Sequence, residues 1–134
     1  MSMPLLATYG TLMRAFDAQA RLGVEAQLTY AGSCEWAGVV YDLGRCPGAV
    51  PGAGRVQGEL FRLAAPSVWT VLDAYEGYDP DRAAASPFVR RRVELQDPVD
   101  RTAWVYWFNG DVEDAPRVPE GDWAAYVQDR PREG

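Results

Sequence analysis

The feature that most limits what this chain can fold into is its punctuation. From residue 5 to residue 110, every apolar run is cut short by Gly, Pro or an Asp-containing cluster, so no long helix can form. Runs at 5–9, 28–36, 39–43, 56–63, 88–95 and 103–108 read as strands. Within 56–63, Val56, Gly58, Leu60 and Arg62 alternate with Gln57, Glu59, Phe61 and Leu63, the period of two that separates the faces of a sheet. Asp97-Pro98-Val99-Asp100 has turn chemistry and predicts a hairpin between the last two strands. Segment 44–54, GRCPGAVPGAG, is too rich in Gly and Pro for regular structure and is expected to be a long shaped loop.

Helical spacing is confined to short pieces. Residues 16–22 suggest a short helix closed by Gly23. Pro66-Ser67 opens a second helix, with Ser67 as the expected N-cap, Val68, Val71, Leu72 and Tyr75 on one face, and Gly77 at its end. Beyond Gly110 the chain is acidic and proline-punctuated until Trp123, Tyr126 and Val127 recur at i, i+3, i+4 and predict a docked turn or two over 122–127. Strands with a few short helices inserted predict an α+β fold, a small curled sheet or mixed β-barrel with the helices packed around it. At 134 residues a single domain over 1–134 is expected, with 111–134 as an acidic C-terminal extension.

Charge narrows the partners. The net charge is −6 and all 13 basic residues are arginine, so phosphate backbones and anionic membranes are repelled unless arginines gather on one face. Arg90-Arg91-Arg92 is the one cluster, and neighbours on a strand point to opposite faces. The aromatic strand Trp104, Tyr106, Phe108 has the spacing of a base-stacking platform, but in an acidic chain a core or half-buried aromatic face is the better explanation. No apolar run approaches a membrane span, and the amino terminus lacks a leader pattern, so the cytoplasm is the expected location. Cys34 and Cys46 make neither a metal motif nor a C-x-x-C pair.

The chain has no histidine. Ser-His-Asp and Cys-His arrangements are therefore impossible, the commonest metal ligand is missing, and proton transfer falls to a carboxylate, tyrosine, cysteine or water. Among 19 acids, Glu76 stands out. It closes the expected second helix, where the dipole disfavours negative charge, and Tyr75 and Tyr78 flank it; apolar surroundings would raise its pKa towards the range of a general base. A surface glutamate at a helix end is the plainer alternative. Asp73 is expected to cap or orient a loop, and Glu59 to pair with an arginine.

At Tyr9-Gly10-Thr11-Leu12 the first strand breaks at a small-residue corner. It is either a simple turn or a nest whose unpaired backbone N–H groups hold an anionic or carbonyl oxygen. Taken with "YDLGRCPG" (41–48), "GELFRL" (58–63) and "LDAYEGYDP" (72–80), the corner resembles the gamma-glutamylcyclotransferase-like family, including its gamma-glutamylamine cyclotransferase branch. "FVRRRVEL" and "AWVYWFNG" look like that family's closing hairpin, so the resemblance spans about 5–110.

The resemblance implies a pocket at one end of a small mixed barrel, with Tyr9, Gly10, Thr11 and Leu12 as substrate-binding loop, Glu76 as catalytic glutamate and Tyr106 near the substrate. It implies cyclisation of a γ-glutamyl group of a small peptide or amine to 5-oxoproline, with no metal and no cofactor. Many relatives follow the corner with a basic residue and then Arg-Gly; here Arg14 is kept, while Met13 and Ala15 replace its neighbours. Cys46 stands where an aromatic residue is frequent and Phe88 where tyrosine is. These departures bear on the leaving group more than on the chemistry. Two other functions compete: a non-catalytic small-molecule-binding module that keeps the pocket, and an enzyme using Cys46 as nucleophile, activated by an arginine or backbone donors.

Overall fold

The computed structural model describes residues 4–129. Five strands, β1 (Leu5–Thr8), β2 (Leu28–Asp42), β3 (Pro47–Leu63), β4 (Phe88–Glu94) and β5 (Thr102–Phe108), form one sheet in the order β2-β3-β1-β5-β4. Pairing is antiparallel except between β1 and β5, which run parallel through Leu6 and Trp104. Helices α1 (Ala18–Arg21), α2 (Val68–Glu76) and α3 (Trp123–Asp129) are short, as the punctuation requires.

Alternation along the strands divides the core in two. Leu6 and Phe61 pack with Leu63, Tyr106 and the α2 residues Val68 and Leu72. Their neighbours Ala7 and Leu60 turn the other way, onto Trp36, Val56, Val105 and Trp123 of α3. Helix α2 thus covers one face of the sheet. The expected docking of the last amphipathic piece is observed, with Trp123 buried and Tyr126 and Val127 packed beside it. The tail beyond residue 129, part of the 111–134 extension, lies outside the described residues.

Four expectations need correction. The sheet is curled but not closed into a barrel, because the β2 edge is occupied by other partners than β4. Glu35 N–H donates to Asp97 O at 2.8 Å and Glu35 O accepts from Gln96 N–H, both in the β4–β5 turn. Further along, Asp42 N–H donates to Pro116 O and Val40 O accepts from Val118 N–H. These segments satisfy an edge that would otherwise invite pairing with another chain.

Segment 44–54 is also not a loop throughout. A tight turn, closed by Leu43 N–H to Cys46 O and by Gly44 N–H to the Asp42 carboxylate, returns the chain directly into β3 at Pro47. Gly48 opposes Tyr41 in the ladder, and a Cβ there would lie 2.6 Å from Leu43 and 2.9 Å from Phe108. Pro51-Gly52-Ala53-Gly54 fall where the register slips, between the pairs Val39↔Val50 and Ala37↔Arg55, so Pro51 breaks no ladder bond. The expected strands 28–36 and 39–43 are one strand bent at that same slip. Finally, Ser67 precedes α2 with helical φ and ψ and its side chain caps nothing.

The other end of α2 behaves as expected. Gly77 is left-handed at φ 75°, and the bonds Gly77 N–H to Ala74 O and Tyr78 N–H to Asp73 O close a Schellman turn. Glu76 is consequently held as the last helical residue.

Close approach of β1 and β3 depends on Gly58. A Cβ at this position would collide with the backbone carbonyl of Thr8 and stand 3.0 Å from the Trp36 ring. Backbone cannot swing aside as a side-chain tip can. Gly58→Ala should therefore lower stability by about 3 kcal/mol, read as a shifted urea midpoint with unchanged slope. A midpoint equal to wild type would show that β1 is not held this tightly.

Candidate active site

A pocket opens where the end of β1, the end of α2, the start of β3 and the hairpin β4–β5 converge. Ala7, Thr8, Tyr9, Gly10, Thr11, Leu12, Cys46, Pro47, Glu76, Phe88 and Tyr106 line it. The six residues singled out from the sequence are thus brought together, although Tyr9 and Tyr106 are 97 positions apart.

The corner is tied down on several sides. Tyr9 OH donates to Tyr106 O at 2.6 Å and accepts from Ala49 N–H at 3.1 Å, joining β1 to β5 and β3. Thr11 Oγ1 and Tyr75 OH share a hydrogen bond of 2.6 Å, joining the corner to α2. Gln19 Nε2 donates to Leu12 O. Arg14 donates its backbone N–H and its guanidinium to Glu59 at 2.7, 3.0 and 3.1 Å and stacks on Tyr30, so Glu59 has the arginine partner expected of it. Gly10 lets the corner meet β3, since a Cβ would lie 2.7 Å from Pro47.

Within this frame Met13 N–H donates back to Gly10 O, but the N–H groups of Gly10, Thr11 and Leu12 donate to no other described residue. Three successive residues on the pocket wall therefore keep free donors, the arrangement that suits an oxygen carrying negative charge. The hydroxyls of Tyr9 and Thr11 are engaged with protein.

Glu76 presents the complementary chemistry. Its carboxylate has no hydrogen bond or ion pair with any described residue, and burial pushes its pKa from 4.5 up to about 7. Cys46 shares the pocket, and its thiol is raised first by burial and then by the negative charges of Glu76 and Asp42. That disfavours the thiolate a nucleophile needs.

Asp73, expected to cap or orient a loop, instead faces the sheet. It accepts Arg90 Nε at 2.9 Å and a second guanidinium nitrogen at 3.0 Å, and it accepts Tyr106 OH at 2.7 Å. Nothing in the sequence linked these residues beyond opposite charge. The aromatic strand packs on other rings: Trp104, half-buried, meets Trp69 edge-on, Tyr106 is buried under α2, and Phe108, half-buried, packs on Phe88. Among the described residues no three His, Cys, Asp or Glu side chains gather as a metal-binding group, and no helix is long and apolar enough to cross a membrane.

Fold and pocket together define a small α+β domain whose pocket sets a carboxylate and a corner of backbone N–H groups, both without partners among the described residues, side by side. The chain belongs to the family described as gamma-glutamyl cyclotransferase, AIG2-like, whose model matches residues 6–125. It is 33% identical over 84 residues to the gamma-glutamylcyclotransferase family protein YtfP of Escherichia coli K12, an alignment covering 63% of this chain and 66% of that protein. The solution structure of Escherichia coli ytfP superposes with a TM-score of 0.66 at 26% identity, covering 89% of this chain and 95% of that one. A mouse aig2-like protein shares the fold, with a TM-score of 0.70 at 20% identity over 100% of this chain and 99% of that one.

The Glu76 shift has a thermodynamic signature. A carboxyl that holds its proton more tightly folded than unfolded costs nothing below pH 4.5, destabilises progressively as pH rises to about 7, and by a constant amount above. Glu76→Gln removes this penalty. The variant should gain up to about 3 kcal/mol over wild type at pH 8 and far less at pH 4, measured by urea unfolding at both values. An equal difference at the two pH values would contradict the burial described here.

Proposed function

We propose that this protein cyclises a γ-glutamyl group of a small peptide or amine to 5-oxoproline, releasing the amine or amino acid, with Glu76 as general base and then general acid. The observation that carries this is Glu76 itself: a partnerless carboxylate with its pKa near 7, in one pocket with the free N–H groups of Gly10, Thr11 and Leu12. A group titrating near the working pH is suited both to take a proton and to return it.

In the proposed reaction the α-nitrogen attacks the γ-carbonyl carbon of the same molecule. As the new C–N bond forms, Glu76 takes a proton from that nitrogen; as the old C–N bond breaks, the same proton passes to the leaving nitrogen. Protons balance, and no covalent enzyme intermediate is required. The carbonyl oxygen gains negative charge in between, and the donors of the corner are the groups suited to receive it. Because nucleophile and electrophile share one molecule, the remaining task is to fold the substrate so that its ends meet. A corner tethered to β3, β5 and α2 is a rigid wall for that purpose.

Amine release and 5-oxoproline formation, followed by mass spectrometry over γ-glutamyl dipeptides and γ-glutamylamines, test the proposal and identify the leaving group. Glu76→Gln, checked for folding by circular dichroism, should lose roughly 100-fold or more of kcat/KM. In wild type kcat/KM should rise through about pH 7 as Glu76 loses its proton. Binding without turnover over the whole panel would instead favour a non-catalytic module, and inactivation by a thiol reagent with Glu76→Gln still active would favour Cys46.

A further inference from the structure

The Asp73–Arg90 pair lies beside the pocket but not among its lining residues, and the reaction written above does not use it. The pair is costly to build. Both side chains are largely buried, at 13% and 18% exposed, and the guanidinium is bidentate on the carboxylate. Aromatic rings enclose the guanidinium: Arg90 Cζ lies 4.2 Å from the Trp69 centroid, 5.3 Å from Trp104 and 5.7 Å from Tyr78. An ion pair in such surroundings adds little to stability compared with apolar packing, so its presence asks for another explanation.

The explanation lies in the third member. Tyr106 OH donates to Asp73 Oδ1 at 2.7 Å, and Tyr106 also lines the pocket. A carboxylate oxygen only accepts, which fixes the direction of this bond. A phenol has one proton, so once it is given to Asp73 only oxygen lone pairs remain for anything else. Burial and the bond to Asp73 also push the phenol pKa upward, which keeps that single proton in place.

We infer that Asp73 and Arg90 are positioning residues that set the polarity of Tyr106, turning its hydroxyl into an acceptor for the α-amino group of the substrate. The inference rests on the cyclisation proposed above. With one N–H of the α-amine held by Tyr106 and the other given up to Glu76 as the new C–N bond forms, the nitrogen lone pair is directed at the γ-carbonyl. Tyr106 is thereby excluded as proton donor to the leaving group, which leaves both transfers to Glu76.

The test uses two stable ligands that differ only at the α-carbon, L-glutamate and glutarate, with dissociation constants from calorimetry. Wild type should prefer glutamate. In Tyr106→Phe the preference should shrink roughly tenfold, the range of a hydrogen bond to a charged group, with glutarate affinity unchanged. Asp73→Asn should shrink it comparably, since an amide nitrogen can donate to Tyr106 and turn the phenol proton towards the pocket. The double variant should be no worse than Tyr106→Phe alone, because both changes act on one contact. Tyr106→Phe keeps the ring and provides the decisive comparison if Asp73→Asn fails to fold.

A retained preference in Tyr106→Phe, additive losses in the double variant, or equal losses for both ligands would overturn the inference. Turnover of γ-glutamyl substrates alongside any of these results would leave the cyclisation standing. Silence towards both ligands and the whole substrate panel would remove the two together.

Discussion

The pocket depends on a single phenol. Tyr9 OH donates to the Tyr106 carbonyl and accepts from the Ala49 amide, so one buried hydroxyl joins β1, β5 and β3 where the first strand ends. Each of its bonds satisfies a backbone group that would be costly to bury unpaired. With Tyr9 fixed, the chain turns at Gly10 against Pro47, and the tethers at Thr11, Leu12 and Arg14 follow within one turn. The corner is held by side chains, and this leaves the amides of Gly10, Thr11 and Leu12 without acceptors among the described residues.

Helix α2 makes two different uses of carboxylates three residues apart. Asp73 meets a guanidinium and a phenol; Glu76, one turn later, meets neither. The first is engaged by an ion pair and a hydrogen bond, and the second is a carboxyl that burial brings to a pKa of about 7. The Schellman turn at Gly77 makes the separation possible, because it ends the helix with Glu76 still on it and turns the chain away towards β4. In an acidic chain without histidine, burial thus brings the pKa of Glu76 to about 7.

Local chemistry was legible in the sequence where a local rule decides the outcome. Gly77 was readable as a helix end because only a residue tolerant of positive φ closes a Schellman turn, and Asp97 to Asp100 as a hairpin because turn residues separate two apolar runs. The failures share a cause. Pro51, Gly52 and Gly54 looked like loop, yet they occupy a register slip inside β3, and how many residues of one strand face the other there is not set by composition. Ser67 had the identity of a cap but not the backbone angles that aim its side chain. Closure of the barrel failed because residues 97 and 116–118, not β4, reach the edge of β2.

For the site, the sequence by itself determined the inventory: no imidazole, a glutamate at the end of a short helix, and a small-residue corner after the first strand. Those are matters of residue identity and local spacing, and together with the resemblance of the motifs they indicated the family. Only the tertiary structure decided that Glu76 meets no partner among the described residues while Asp73 does, that the hydroxyl of Tyr9 is consumed between strands, and that the proton of Tyr106 points at Asp73. Whether a carboxylate finds a partner depends on what folding brings within 3 Å from residues distant in the chain, as Arg90 is brought to Asp73 at 2.9 Å. Sequence spacing carries no information at that range.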